Sequence, residues 1–318
     1  MSTMSTADSI SDPSQSLGSS ADQLLADRPR MIEIVSGEAL DRTGLAGLLR
    51  AYAAKKVVLV GQHKAGKTTL LASLFGLFCR GPVQGISFVS SRTIVGFAKR
   101  QYLALLSSGG QKSATPRTSR DDGVSYFHLA LSIAGRPVQL VISDRSGEAY
   151  EDASKQTELI GEFEEFEFAD RICFVIDATK VVNEGTRAIY VRRVKQLIHA
   201  LSDNGALRPN VPIDLLVNKI DVLEASTNKE ILLEKVSAFE RNAIGELTSA
   251  SLNVGTYRIS ALPHARPSLG YVGLPEMLLR WTEQEPEQGI RFMSVDAEVR
   301  QIDRLVARSI RAGANVVE

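Results

Sequence analysis

The segment Val57-Val-Leu-Val-Gly-Gln-His-Lys-Ala-Gly-Lys-Thr-Thr69 narrows the choice of fold more than any other stretch of the chain. A run of aliphatic residues breaks into Gly61-x-x-x-x-Gly66-Lys67-Thr68 and continues as an apolar helical stretch to Phe78. A buried strand, a glycine turn and a helix in that order make a phosphate-binding loop. Gly61 and Gly66 let the turn aim successive backbone N–H groups inward, where the helix N-terminus adds its positive end. Lys67 is placed to meet the β- and γ-phosphates and the Thr68 hydroxyl to ligate Mg²⁺, while Lys64, Ala65 and Thr69 complete the phosphate-lining set. The pattern predicts binding of a nucleoside triphosphate.

Two later strands carry the rest of the expected site. Ile213-Asp-Leu-Leu-Val-Asn-Lys-Ile-Asp221 is an apolar run closing on Asn218-Lys219-x-Asp221. A carboxylate at Asp221 can accept both the N1–H and the 2-amino group of guanine; adenine lacks that donor pair and would leave the carboxylate unsatisfied. The Lys219 stem can lie over the base plane. Taken alone, Asn-Lys-x-Asp also reads as a surface turn. Val138-Gln-Leu-Val-Ile-Ser-Asp-Arg-Ser-Gly147-Glu148 places Asp144 at a strand end, within reach of a magnesium water shell, and Gly147 where a backbone N–H can approach the γ-phosphate. Ser260 and Ala261, after Tyr257-Arg-Ile, are small enough to approach the guanine O6.

In order along the chain, Gly61–Thr68, Asp144–Gly147, Asn218–Asp221 and Ser260-Ala261 match four of five motifs of the translation-factor and Ras-like (TRAFAC) GTPases, which the chain resembles from about Lys56 to Trp281. Asp144-x-Ser-Gly-Glu148, the long insert after the phosphate loop, and Arg117-Thr118 before Phe127-His128-Leu129 look like the bacterial double-GTPase families. The resemblance implies a Mg²⁺-dependent GTPase that converts GTP to GDP and phosphate and works as a molecular switch. It also implies a protein effector or activating protein, and a place in a bacterial multi-component conflict system. Glu148 stands where Ras-like proteins carry the glutamine that orients the attacking water. A carboxylate there can take a proton from water but repels the phosphates, so slow turnover is expected. It also reads as a switch residue turned to solvent.

The implied fold is α/β, a three-layer P-loop NTPase with a mainly parallel, doubly wound sheet. Val124–Ile133 and the Asp144 strand, joined by Ala134-Gly135-Arg136-Pro137, form a hairpin whose first member is expected to be the one antiparallel edge strand. Residues 1–28, with eight serines in the first 20, read as a disordered tail. Residues 29–55 are an N-terminal extension with a helix through Leu45, Leu48 and Leu49, expected to pack beside the first strand. Residues 56–285 form the GTPase domain, and 286–318 an amphipathic helix that packs on the domain or on another chain.

Within the domain, residues 81–110 are an insert. Its helical stripe of Ile94, Phe97, Ala98, Tyr102, Leu105 and Leu106 serves either as a core elaboration or as a docking surface. Gln111–Gly123 occupies the place of the first switch, with Thr118, or Thr115, as a further Mg²⁺ ligand. Arg145–Glu162 is the second switch. Glu162, Glu164, Glu165 and Glu167 beside Phe163 and Phe166 read as a solvated acidic face, or as a surface for a basic partner. The positive charge needed in phosphoryl transfer comes from Lys64, from Arg117 or Arg120, or from a partner.

With 318 residues, 44% of them hydrophobic, the chain can bury a full core. Lys and Arg total 37, as do Asp and Glu, so net charge suggests neither nucleic acid nor an anionic membrane. No apolar run approaches the ~20 residues of a membrane span. Cys79 and Cys173, in expected core positions, suggest reduced thiols and the cytoplasm. His63, His128, His199 and His264 have no metal-ligand spacing, and only His63 falls beside phosphates. Two rivals to the switch remain. A nucleotide-loaded scaffold subunit would show negligible turnover, and a small-molecule kinase would leave Asn218-Lys219-x-Asp221 without a role.

Overall fold

The computed structural model describes residues 36–79, 81–108, 123–249, 253–262 and 271–283. Seven strands form one sheet in the order β2-β3-β4-β1-β5-β6-β7. They are β1 (Ala54–Val60), β2 (Ile86–Ser90), β3 (Val124–Ile133), β4 (Arg136–Arg145), β5 (Arg171–Asp177), β6 (Ile213–Asn218) and β7 (Val254–Arg258). From β1 the chain moves first to one side of the sheet and then, after β4, to the other. The loop leaving β1 therefore lies at the switch point of a doubly wound sheet, where such folds have their ligand crevice.

Parallel register along β4, β1, β5, β6 and β7 sets the strand ends side by side, with Leu59 opposite Asp144 and Asp177 opposite Asn218. The hairpin of β3 and β4 is antiparallel, as expected, but β3 is not the edge. β2 pairs antiparallel outside it, so β2 runs the same way as β4 and β3 alone is reversed. The insert thus extends the sheet instead of standing apart from it.

Alternate residues of β1 go to opposite layers. Val57 and Leu59 join a core with α2 (Lys67–Phe78), α3 (Ile94–Ser108) and α9 (Leu274–Thr282). Val58 and Val60 join one with α4 (Gly147–Ala153), α5 (Ala178–Val182), α6 (Arg187–Asp203), α7 (Ile220–Glu224) and α8 (Lys229–Thr248). This is the period-two burial of a central strand covered on both faces. Helix α1 (Arg42–Ala51), capped by the Asp41 side chain, seats Leu45 and Leu48 against Tyr126 and Val141 as well as Ala54. The extension therefore rests on β3 and β4, not beside β1 alone.

Three further expectations change. In α3, Ile94, Ala98 and Tyr102 are exposed, while Gly96, Phe97 and Ala104 face inward. A Cβ on Gly96 would come within 3.1 Å of the Phe127 ring, a close approach that the glycine permits. Cys79 is exposed and only Cys173 is buried. Glu165 is fully buried, so the acidic run is not a uniformly solvated face. The tail of residues 1–28, residues 29–35, the segment 286–318 and His264 lie outside the described residues. So do Thr115, Arg117, Thr118 and Arg120. Among the described residues no helix is long and apolar enough to cross a membrane.

Candidate functional site

At the C-terminal ends of β1, β4, β5, β6 and β7, residues from five separate stretches of sequence come together. The loop from Gly61 to Gly66 turns through Lys64 at φ 63° and Gly66 at φ 101°. A Cβ on Gly66 would fall 2.3 Å from Asn218 Nδ2, and one on Gly61 would fall 2.7 Å from the Val175 carbonyl. Gly61 is required by the close Val175 carbonyl, and Gly66 both by Asn218 and by the turn itself.

Lys67 opens α2 and is 6% exposed. Its Nζ donates to the Gly61 carbonyl at 2.7 Å and lies 5.5 Å from the Tyr150 ring. Burial pulls its pKa down to about 8, against the opposing pull of Asp144 and Glu151. Thr68 Oγ1 donates to Asp144 Oδ2 at 3.4 Å, and the Asp144 carboxylate is fully buried. Ala65 is buried, with its carbonyl accepting from Asn218 Nδ2, and the Thr69 carbonyl accepts from Ser73.

Ser146 caps α4 by accepting from Glu148 N, which brings Gly147 against the phosphate loop. A Cβ on Gly147 would meet His63 N at 2.5 Å and Gln62 C at 2.6 Å. Glu151, a turn further on, accepts from His63 N at 3.0 Å, and Glu148 Oε1 stands 3.9 Å from His63 Nδ1. Below them, Arg145 makes a bidentate pair with Glu165 at 2.7 and 2.8 Å, and the Tyr150 hydroxyl donates to the same carboxylate. A pair at that depth is strongly destabilised when one partner is removed, so it ties the start of α4 to the turns at Glu162–Phe166.

At the other corner, Asn218 Oδ1 accepts from Lys219 N and Ala261 N while its amide holds the Ala65 carbonyl. Lys219, at φ 68°, sends its Nζ 2.6 Å to Asp177 and 3.2 Å to the Lys64 carbonyl. Two lysines in the left-handed region, linked to each other, mark backbone strain of the kind concentrated at functional sites. Ser260 Oγ donates to Asp221 Oδ1 at 2.7 Å and accepts from Asp221 N at 2.9 Å. Ser260 therefore braces the carboxylate expected to read the base.

The described part of the expected set is thus assembled in one place: Gly61, Lys64, Ala65, Gly66, Lys67, Thr68, Thr69, Asp144, Gly147, Glu148, Asn218, Lys219, Asp221, Ser260 and Ala261. Arg117 and Thr118 fall outside the described residues. Asp177 and Glu165 were missed by sequence reading. Asp177 ends an apolar strand, but its place beside Asn218 comes only from β5–β6 pairing; no signal in the sequence marks Glu165 as buried.

A phosphate loop at the switch point of a doubly wound sheet, with a carboxylate corner beyond it, defines a P-loop nucleotide-binding protein. Residues 55–262, about two thirds of the chain, match the family model "Double-GTPase 2", and the chain belongs to that family, whose name implies a guanine nucleotide. No curated protein matches it. Solved structures similar to it include a mutation variant of SsGBP, at 18% identity and TM-score 0.38 over 76% of this chain and 61% of that one. Another is Methanosarcina barkeri Roco2 RocCORdC bound to GDP, at 17% identity and TM-score 0.33 over 72% and 49%. This chain therefore spans about three fifths of the first and half of the second.

Proposed function

We propose that the protein is a slow, Mg²⁺-dependent GTPase of the cytoplasm that signals by ordering Gln111–Gly123 and Arg145–Glu162 around GTP and releasing them after hydrolysis. The observation that carries this is the seat of Gly147 on the Gln62–His63 backbone, which leaves no room for a Cβ. Whatever displaces the phosphate loop or its ligand must be felt at the start of α4. Glu151 and the Arg145–Glu165 pair would pass the change onward.

Thr68 and Asp144 offer two hard oxygen donors at 3.4 Å, a fit for Mg²⁺, which takes one or two protein oxygens together with phosphates. Thr118 is the proposed third ligand. The ion supplies charge neutralisation and polarises the terminal phosphate. Lys67 carries charge to the phosphates, the loop amides orient them, Asp221 selects guanine and Lys219 flanks the base. Glu148 is proposed to hold the attacking water, with His63 beside it. An effector and an activating protein, and a role in a conflict system, belong to the same reading and rest on the family resemblance.

Phosphate release from GTP by the full chain, alongside hydrogen exchange of residues 145–162 with GDP and with a non-hydrolysable GTP analogue, tests the reading. The expected result is slow release and stronger protection with the triphosphate. No release and identical protection would leave a nucleotide-loaded scaffold in its place.

A further inference from the structure

We propose that Arg100, carried by the inserted helix α3, contacts the terminal phosphate and makes the site distinguish a guanosine triphosphate from a diphosphate. This rests on the guanine-nucleotide reading above and extends it to a residue that no motif contains.

Helix α3 lies against α2, the helix that begins with Lys67 and Thr68. Phe97 is fully buried, stacked 5.9 Å from Phe75 and edge-on 5.3 Å from Phe127. Arg100, one turn further on, sets its guanidinium 4.2 Å above the Phe127 ring. Phe127 faces Ile142 across the β3–β4 hairpin, and Asp144 is two residues beyond Ile142, opposite Ser125. Residues two apart in a strand share a face. The guanidinium therefore lies on the face of the sheet that carries Asp144 and Thr68.

Its hydrogen bonding is incomplete. Nη1 donates to the Gly96 carbonyl at 3.3 Å, whereas Nε is buried with no partner among the described residues. Burial works against the charge, and the carboxylate that does most to sustain it is Asp144, followed by Glu38. A half-buried cation with an unused donor, on the face of the sheet that carries Asp144 and Thr68, is suited to an anion that can set two oxygens in the guanidinium plane. A guanidinium fork meets phosphate in that way. The helix that bears it has little freedom, because Gly96 packs against Phe127 and its N–H is held by the Gly37 carbonyl at 2.9 Å. On this assignment the insert, which the sequence leaves as either a core elaboration or a docking surface, is part of the nucleotide response.

The test is a set of dissociation constants for GDP and GTPγS in Mg²⁺, measured on the full chain with R100A, R100M and R100K and accompanied by thermal melts. R100A is expected to weaken GTPγS at least tenfold and GDP by less than twofold, with R100K intermediate. Millimolar guanidinium ion is expected to restore GTPγS affinity to R100A but not to the wild type. If R100A does not fold, R100M, which keeps an unbranched stem over Phe127, carries the same expectation. Equal loss of both nucleotides, or loss of neither, in a folded variant overturns the proposal while leaving the nucleotide reading intact. A wild-type chain that binds neither nucleotide overturns both.

Discussion

The two corners of the site are built differently. At the base-reading corner each polar side chain is held by a neighbouring group: Asn218 by the backbone N–H groups of Lys219 and Ala261, Lys219 by Asp177, Asp221 by Ser260. At the phosphate corner the groups converge and leave two buried donors over. Thr68 and Asp144 are 3.4 Å apart, Lys67 keeps its proton against desolvation, and the buried Gln62 Nε2 and Arg100 Nε have no partner among the described residues. The first arrangement is preorganised, so the fold itself bears the cost of orienting its donors and acceptors. The second is completed by what binds, and this makes it responsive to the number of phosphates. Selectivity for the base and sensitivity to the γ-phosphate should therefore separate under mutation.

The largest separation is expected from Asp221→Asn. An amide presents a donor to the guanine donors and replaces a charged acceptor, so GTP and GDP should both weaken by about 2–4 kcal/mol, while a xanthine nucleotide gains. Competition binding with the three nucleotides checks it. Unequal loss of GTP and GDP would break the separation of the corners.

Gly147→Ala should act at the other corner. The added methyl would meet the Gln62–His63 backbone at 2.5–2.7 Å, and overpacking of this kind costs roughly 1–3 kcal/mol. The shift needed to relieve it moves the start of α4 away from the phosphate loop, so GTPγS should lose more affinity than GDP. Isothermal titrations with each nucleotide decide between this and an equal loss, which would place the strain in folding alone. Ser260→Ala comes next. It removes the brace on Asp221 without removing the carboxylate, and about 1 kcal/mol should be lost equally for GTP, GDP and guanosine.

The difference between the corners also governs what could be read from the sequence. The phosphate loop was legible because strand, turn and helix are contiguous and each residue type is dictated by local backbone geometry. Asn218 and Asp221 were legible for the same reason. Asp177 was not, because its role depends on β5 lying beside β6 in one particular register, which places it opposite Asn218. Glu165 was misread because a run of glutamates beside phenylalanines has the composition of a solvated face. Only the position of Arg145 makes its burial affordable. The stripe of α3 is divided between core and surface, because apolar spacing cannot show that Gly96 permits the close approach that buries Phe97 and leaves Ile94 and Tyr102 outside. Local chemistry was readable, and pairing between distant segments was not.

The smallest expected effect probes the phosphate corner by pH. Burial holds the pKa of Lys67 at about 8, against 10.5 for an ordinary lysine. Between those values the unfolded chain binds the proton that the folded chain has released. The folded state therefore gains stability as pH rises from 8 towards 10.5 and carries its full desolvation penalty below 8. Nucleotide binding has the opposite slope, because phosphates require the charged amine and binding must restore the proton. At pH 8.5 roughly a quarter of the amines are charged, so affinity should fall about fourfold, or about 0.8 kcal/mol, and proton uptake should accompany binding. Titrations in buffers of different ionisation enthalpy measure that uptake directly. Lys67→Met should remove both slopes and melt higher than the wild type at pH 7 in the absence of nucleotide. GTP affinity that stays flat between pH 7 and 9 would mean that Lys67 is not the residue carrying charge to the phosphates, and the contrast between a preorganised corner and a ligand-completed one would lose its second half.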